Sequence, residues 1–247
     1  MSDAYLLQVR NLKKYFAGVK AVDDVSFGVS KGEKIGIAGP NGAGKTTLIN
    51  LISGYLSPTS GKIIYENRDI GNVSLIERVK MGIVRSWQLP QLFENFTVKE
   101  ALITSILVKR RKLYNIWKDV EGLKDIIQEA IEYSSLFNLK ETKLVKELSE
   151  GERKLLDVAL SLALQPKLLL LDEPTSGVSS EEKFDIMDNV LRIVSDKNIT
   201  TVVIEHDLQI LQKYFPRLMF MSEGKIIADG SADSVFKNER VREMLGE

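Results

Sequence analysis

The spacing of apolar residues changes twice along this chain. Up to about residue 90, and again after about residue 165, apolar residues form short runs or alternate with polar residues, which predicts β-strands. The expected strands cover residues 5–9, 22–29, 34–38, 61–65, 83–87, 168–171 and 201–204, with a hairpin over 217–228 that turns at Glu223 and Gly224. The run Leu168–Leu171 is apolar throughout, which is typical of a parallel strand buried on both faces of a sheet.

Between residues 90 and 165 the pattern becomes helical. Thr97 and Glu100 have the spacing of a capping box, which predicts the start of a helix. Further apolar residues follow at helical spacing, at Leu123, Ile126, Ile127, Ala130 and Ile131. We therefore expect one domain over residues 1–247 with an inserted helical subdomain at 90–165. A single tail helix is expected to hold Val235, Phe236 and Met244.

Composition excludes several classes of function. The 247 residues carry 34 basic and 34 acidic side chains, so the net charge is zero and the basic footprint of a nucleic-acid-binding protein is absent. There is no cysteine, which excludes disulfides and thiolate metal sites. No apolar run approaches the roughly 18 residues of a membrane helix, and the first residues lack the pattern of a secretory leader. We expect any association with a membrane to come through a partner.

The segment from Gly39 to Thr46 fits the pattern G-x-x-x-x-G-K-[ST], which is typical of a loop that binds the phosphates of a nucleotide. An expected strand precedes the loop and an expected helix follows it, which is the context that the motif requires. Backbone N–H groups in such a loop point at phosphate, and the helix N-terminus adds a favourable dipole. Lys45 can reach the β- and γ-phosphates, and the Thr46 hydroxyl can ligate Mg²⁺. The candidate nucleotide-binding residues of this segment are Gly39, Pro40, Asn41, Gly42, Ala43, Gly44, Lys45, Thr46 and Thr47.

Two acidic residues follow the leucine run. Asp172 is expected at the carboxyl end of that strand, where ligands bind in open α/β sheets. A carboxylate there can hold Mg²⁺ through water, and Glu173 can orient or deprotonate an attacking water. Taken alone, the same stretch also fits a buried segment that ends in solvated charges.

The segment Leu148–Glu152 (Leu-Ser-Glu-Gly-Glu) resembles the signature sequence of the ATP-binding cassette (ABC) ATPases, which is usually Leu-Ser-Gly-Gly-Gln. Other family positions match in the family's order: Phe16 as the aromatic that stacks on adenine, Gln88 between the subdomains, the loop 176–179 that contacts a second subunit, and the switch histidine His206. The resemblance implies an α/β P-loop NTPase fold with a mostly parallel sheet, an N-terminal antiparallel β piece and an inserted helical subdomain.

The resemblance also implies the roles of the site residues. Glu173, His206, Lys45 and Gln88 are the expected catalytic residues, and Thr46, Gln88 and Asp172 are the expected metal-site residues. Ser149, Glu150, Gly151 and Glu152 are expected to act across a dimer interface, on the ATP of a second subunit. ATP and Mg²⁺ are the implied cofactors.

A finer resemblance concerns the residues around Gln88. The runs Gly82–Gln88, Leu92–Phe93 and Thr97–Glu100 are similar to the ATPase subunits of branched-chain amino acid uptake systems. This implies transmembrane permease subunits that contact a groove near Gln88, an extracytoplasmic solute-binding protein, and a peripheral location on the cytoplasmic side of the membrane. The wall of the groove is expected at Pro90–Ala101.

Three alternatives stay open. Uptake systems for urea or amides look much alike. A soluble ABC ATPase of DNA repair or translation is less favoured, because this chain has neither a long coiled coil nor a second cassette. A P-loop kinase or GTPase is disfavoured by the signature segment and His206, and no Asn-Lys-x-Asp guanine motif occurs.

The signature departs from the family in charge. Glu150 and Glu152 stand where Gly and Gln are usual, and two carboxylates near a triphosphate repel it unless they point away or meet cations. Arg153 and Lys154 are the expected compensating cations. The hypothesis that follows is an asymmetric pair with a different ATPase subunit, and the rival is a homodimer. The bland interpretation, a capped helix running to Leu164 from a Ser149 capping box, is compatible with both.

Overall fold

The computed structural model describes residues 5–86, 94–110 and 120–246. Within them, ten strands form two sheets. The strands are β1 (Tyr5–Phe16), β2 (Val19–Ser30), β3 (Lys34–Ala38), β4 (Ser60–Tyr65), β5 (Arg68–Asp69), β6 (Ile83–Arg85), β7 (Leu168–Asp172), β8 (Thr200–Ile204), β9 (Arg217–Ser222) and β10 (Lys225–Gly230). The helices are α1 (Lys45–Ser53), α2 (Leu75–Met81), α3 (Val98–Arg110), α4 (Val120–Leu136), α5 (Glu150–Ala163), α6 (Ser180–Asp196), α7 (Leu208–Tyr214), α8 (Ala232–Phe236) and α9 (Glu239–Leu245), with a 3₁₀ helix over Val145–Glu147.

The central sheet has the strand order β10-β9-β3-β8-β7-β6. All neighbours in it are parallel except β9 and β10, which form the antiparallel hairpin expected from the sequence. The second sheet, in the order β2-β1-β4-β5, is antiparallel and contains the N-terminal strands. The α/β class with a mostly parallel sheet and an N-terminal antiparallel piece is confirmed.

The leucine run lies as the pattern indicates, with both faces buried. Leu168 and Leu170 pack in one apolar core, with α1 and residues of the N-terminal sheet. Leu169 and Leu171 pack in the other core, with residues of α3–α7. Strand β7 is therefore fixed from both sides, and this fixes Asp172 at its carboxyl end.

Helices α3, α4 and α5 pack against one another. Thr97 and Glu100 form the predicted capping box: the Thr97 N–H donates to Glu100 Oε2 (2.8 Å), and the Glu100 N–H donates to Thr97 Oγ1 (3.2 Å). Subdomain bounds at residues 90 and 165 stay a prediction, because residues 87–93 and 111–119 lie outside the described part of the chain.

The prediction of a single tail helix is wrong, since two short helices, α8 and α9, take its place. The backbone of Asn238 is extended (φ −67°, ψ 126°), and its side chain accepts hydrogen bonds from the N–H groups of Arg240 and Val241. Asn238 therefore caps α9 and interrupts a pattern that periodicity alone made continuous. Within the described residues, no helix has the length and apolar character that crossing a bilayer requires.

Candidate active site

The loop between β3 and α1 forms one wall of a cavity of about 630 Å³. Gly44, just before α1, has φ +99°, and a Cβ there would lie 2.0 Å from the carbonyl oxygen of Ala21, so only glycine fits. The cavity is lined by Val19, Lys20, Ala21, Asp23, Asn41, Gly42, Ala43, Gly44, Lys45, Thr46, Thr47, Glu173, His206, Glu223 and Lys225. Seven of the nine predicted loop residues thus border one space, next to Glu173 and His206.

Backbone hydrogen bonds join this loop to both sheets. The N–H of Asp23 in β2 donates to the carbonyl of Gly224 in the β9–β10 turn (2.8 Å). The N–H of Gly224 in turn donates to the carbonyl of Ala43 (3.0 Å). Three segments that are distant in sequence therefore meet at the phosphate-binding loop.

The Lys45 side chain is held by its own loop. Its Nζ donates to the carbonyl oxygens of Gly39 (2.6 Å) and Pro40 (2.9 Å). Burial lowers the pKa of Lys45, and the nearby carboxylates of Glu173 and Asp172 oppose that shift. Phosphate oxygens could replace the two carbonyls as acceptors and would add charge to the hydrogen bonds.

Asp172 ends β7 beside Arg85, which ends the neighbouring strand β6. Arg85 Nη2 lies 2.6 Å from Asp172 Oδ2, and Arg85 also donates to the Asn50 side chain on α1. Burial raises the pKa of Asp172, and Arg85 pulls against that rise. The sequence did not predict Arg85 as a site residue, because only the pairing of β6 with β7 brings it to Asp172.

The oxygen atoms present fit Mg²⁺. Thr46 offers a hydroxyl and Asp172 a carboxylate, and hard cations such as Mg²⁺ prefer oxygen ligands. In the part of the chain that the structure describes, no group of three or more His, Cys, Asp or Glu side chains is placed to hold a metal by itself. Mg²⁺ usually keeps several waters and takes further ligands from a substrate's phosphates, so Thr46 and Asp172 would supply only part of its coordination.

Glu173 and His206 form a pair at the edge of the cavity. Glu173 follows β7, has φ +52°, and is fixed by a hydrogen bond from its N–H to the carbonyl of Ile204 (2.9 Å). His206 lies just after the adjacent strand β8, and its Nε2 is 2.7 Å from Glu173 Oε1. Both side chains are partly exposed, at 37% and 40%, so the carboxylate can meet water while the imidazole orients it.

Glu205, between β8 and His206, was missed by the sequence reasoning. It is 3% exposed, and its carboxylate accepts hydrogen bonds from the Thr175 N–H (3.0 Å), the Thr175 hydroxyl (2.7 Å) and the His206 N–H (3.2 Å). Burial raises the pKa of Glu205, and these three hydrogen bonds oppose the rise. The available signal was an acid directly after a fully apolar strand end.

The two aromatic side chains near the end of β1 differ in their environment. The Tyr15 hydroxyl donates to Asp23 Oδ1 (2.6 Å), which holds the Tyr15 side chain against β2. Phe16 is 42% exposed, with Lys14 Nζ 5.0 Å from its ring centre. Phe16 does not line the cavity in this structure, and its stacking on adenine stays a prediction.

The signature residues lie at the start of α5, away from the cavity lining. Ser149 and Glu152 form a capping box, in which Glu152 Oε2 accepts from the Ser149 N–H (2.7 Å). Lys143 Nζ also lies 2.7 Å from Glu152 Oε2. Burial alone would raise the pKa of Glu152, but Lys143 and Ser149 outweigh it and hold the pKa below its usual value.

At Glu152, Lys143 therefore takes the place of the expected compensating cations, Arg153 and Lys154. Arg153 donates instead to the carbonyls of Leu148 and Lys146, and Lys154 donates to the Ser176 hydroxyl (3.0 Å). The Glu150 carboxylate lies against the 176–179 loop, since a Cβ on Gly177 would be 2.3 Å from Glu150 Oε1. Gln88, the remaining predicted site residue, lies outside the described residues.

Comparison with known proteins gives a consistent result. The family model described as ABC transporter matches residues 22–176. The chain is 37% identical to a protein named probable branched-chain amino acid transport ATP-binding protein LivG of Methanocaldococcus jannaschii, over 94% of this chain and 92% of that protein. It is 28% identical to the high-affinity branched-chain amino acid transport ATP-binding protein BraF of Pseudomonas aeruginosa, over 98% of each.

A solved structure extends the match to the fold. The crystal structure of an ATP-binding cassette of an ABC transporter in its ADP conformation superposes with a TM-score of 0.86 at 35% sequence identity, and covers 98% of this chain and 99% of that one.

Proposed function

This chain belongs to the ABC transporter family as an ATP-binding, ATP-hydrolysing cassette, and we propose that it powers the uptake of branched-chain amino acids. The observation that carries the site assignment is the Glu173–His206 pair, 2.7 Å apart, at the edge of the cavity that the phosphate-binding loop lines. A carboxylate oriented by an imidazole next to a phosphate site suits the activation of water.

The mechanism follows from the positions of the side chains. Loop N–H groups and Lys45 hold the β- and γ-phosphates, with the Lys45 ammonium exchanging its carbonyl partners for phosphate oxygens. Glu173 accepts a hydrogen bond or proton from the attacking water, and His206 fixes the Glu173 carboxylate and reaches the γ-phosphate. Catalysis at such a site is mainly positioning and charge stabilisation.

Among the described residues, we propose that Thr46 and Asp172 hold Mg²⁺. Gln88, outside the described residues, is the third proposed ligand. The ion would neutralise charge on the β- and γ-phosphates. Before the ion binds, Arg85 keeps the Asp172 carboxylate in place.

A second ATPase subunit completes the proposed site. The N-terminus of α5, with Ser149 and Gly151, would face the γ-phosphate of the partner's ATP, since a helix N-terminus favours anions. Lys143 neutralises Glu152, which removes part of the charge objection to a homodimer. Glu150 is exposed and still argues for an asymmetric pair with a different subunit.

Permease subunits in the membrane and an extracytoplasmic solute-binding protein complete the proposed assembly. The chain would lie on the cytoplasmic side of the membrane and contact the permease near Gln88. Support for branched-chain amino acids, over urea or amides, comes from relatives of that name that match nearly the full length of the chain.

The solute is tested in the source organism with this chain deleted. Uptake of radiolabelled leucine, isoleucine and valine is expected to fall and to return with the wild-type chain, but not with Glu173→Gln. Uptake of labelled urea is the control and should not change. Normal leucine uptake in the deleted strain, or loss of urea uptake instead, would contradict the proposed solute. Co-purification of membrane subunits with the tagged chain separates a transporter subunit from a soluble ATPase.

A further inference from the structure

Glu205 is a buried carboxylate whose two oxygens serve different segments of the chain. Oε1 accepts both hydrogen bonds from Thr175, at 3.0 Å from its N–H and 2.7 Å from its hydroxyl. Oε2 accepts the bond from the His206 N–H at 3.2 Å. The Glu205 backbone is itself fixed, because its N–H donates to the carbonyl of Ile37 in β3 (3.3 Å).

The Thr175 segment leads directly to the proposed dimer contact. Thr175 is two residues after Glu173 and precedes the 176–179 loop, and the Ser176 N–H donates to the Glu173 carbonyl (3.1 Å). A shift of this loop would therefore move Thr175 and Glu173 together. The Glu205 carboxylate ties that segment to His206, the other member of the hydrolytic pair.

We propose that Glu205 is a positioning residue for ATP hydrolysis, which sets the Glu173–His206 distance and makes that distance depend on the 176–179 loop. The proposal rests on the roles proposed above for Glu173 and His206. Neither oxygen of Glu205 faces the cavity, so the residue acts through its neighbours. Docking of a second subunit on the loop would then reach the hydrolytic pair through Thr175 and Glu205.

The substitution Glu205→Gln tests this with little change in shape. An amide has one acceptor oxygen, so it can satisfy Thr175 or the His206 N–H, and its NH₂ group faces a donor on the other side. We expect kcat of the purified chain to fall about tenfold while KM for Mg-ATP stays within about twofold, because the phosphate contacts are untouched.

Glu33→Gln is the matched control. Glu33 is a partly buried carboxylate that also accepts from a backbone N–H, that of Ser30 (2.7 Å), and it pairs with Arg217 far from the cavity. The kcat of the Glu33→Gln variant is expected to stay within about twofold of the wild-type value. A folded Glu205→Gln protein with wild-type kcat, or one whose KM rises as much as kcat falls, overturns the proposal.

Thr175 gives a second test that keeps the carboxylate. Thr175→Val removes the 2.7 Å hydroxyl bond and should lower kcat, and Thr175→Ser, which keeps the hydroxyl, should restore most of the loss. If Thr175 and Glu205 act as one unit, the double variant loses less than the product of the two single effects. Multiplicative effects, or equal kcat values for the Val and Ser variants, count against the proposal.

The variant Glu173→Gln distinguishes a failure of the positioning role of Glu205 from a failure of the active-site assignment. If Glu173→Gln hydrolyses ATP normally, the site assignment itself fails. If Glu173→Gln is inactive while Glu205→Gln is normal, only the positioning role fails.

Discussion

The guanidinium of Arg85 lies 2.6 Å from the carboxylate of Asp172, across the boundary between β6 and β7. Both side chains are largely buried, with 9% and 15% of their area exposed. The carboxylate proposed for the metal site thus has a cation partner within the fold.

Arg85→Ala is expected to lower the free energy of unfolding by about 3 kcal/mol at pH 8, since it leaves a buried carboxylate without its partner. Burial raises the pKa of Asp172, and loss of Arg85 should raise it further. At a pH between the pKa values of Asp172 in the unfolded and the folded chain, the folded protein holds a proton that the unfolded chain has released. Stability therefore falls as the pH rises through this range.

The difference in the free energy of unfolding between wild type and Arg85→Ala should therefore be smaller when urea unfolding is repeated at about pH 5. Arg192→Ala, on the exposed side of α6, is the control and should change little. A deficit of equal size at both pH values contradicts the ion-pair account.

Glu173→Gln should abolish turnover and keep ATP binding. Loss of a base or water-orienting group costs about 100-fold or more in kcat, while the contacts of the phosphate-binding loop remain. Turnover is measured by phosphate release and affinity by calorimetry, with exposed Glu239→Gln as the control. Hydrolysis within a factor of about three of wild type rejects Glu173 as the base.

Lys45→Ala should weaken binding itself. A hydrogen bond to a charged group contributes about 1.5–3 kcal/mol, so the Kd for Mg-ATP should rise about tenfold or more. Lys62→Ala, an exposed lysine on β4, provides the control for calorimetry. Unchanged affinity of Lys45→Ala would leave the phosphate-binding assignment without support.

Phe16→Ala should weaken ATP binding more than Tyr15→Phe does. An aromatic stack contributes about 0.5–1.5 kcal/mol, so the Kd should rise about two- to tenfold for Phe16→Ala. Tyr15→Phe removes only the hydrogen bond to Asp23 and should change the Kd less. The reverse order would contradict stacking by Phe16 and would show that the Tyr15–Asp23 hydrogen bond matters more for ATP binding.

Glu150→Gly and Glu152→Gln should act differently, although both remove a carboxylate from the signature. Lys143 already neutralises Glu152, whereas Glu150 is exposed beside the 176–179 loop. We expect ATP-driven dimerisation and hydrolysis to rise at low salt for Glu150→Gly alone, and the rise to shrink at high salt as charges are screened. An equal rise for both variants would mean that Lys143 does not shield Glu152, and no rise for either removes the charge argument for asymmetry.

The features that the sequence predicts correctly depend on residues close together in the chain. The loop Gly39–Thr46, the leucine run and the capping boxes are each set by a few neighbouring residues, so periodicity and motif spacing detect them. The confirmed fold follows from the order of these elements.

The contacts that no pattern predicted join residues from different elements. Arg85 and Asp172 are 87 positions apart, and Thr175 and Glu205 are 30 apart, so only the strand order brings each pair together. Lys143 reaches Glu152 from nine residues upstream, across the 3₁₀ helix, and Arg153 and Lys154 point elsewhere. Adjacency in sequence suggested the wrong cations for Glu152, because the fold brings the side chain of Lys143 to it from before the helix.

The two hydrogen bonds that connect the phosphate-binding loop to both sheets involve only main-chain atoms. The Asp23 N–H donates to the Gly224 carbonyl, and the Gly224 N–H donates to the Ala43 carbonyl. Only a proline at position 23 or 224 would remove a donor of these bonds, and other substitutions are restricted mainly at Gly224, where a Cβ would lie 2.6 Å from the carbonyl oxygen of Lys20. Most of the surrounding side chains can therefore change without loosening the connection between the two sheets. That freedom fits a chain that keeps a TM-score of 0.86 with a relative sharing 35% of its residues.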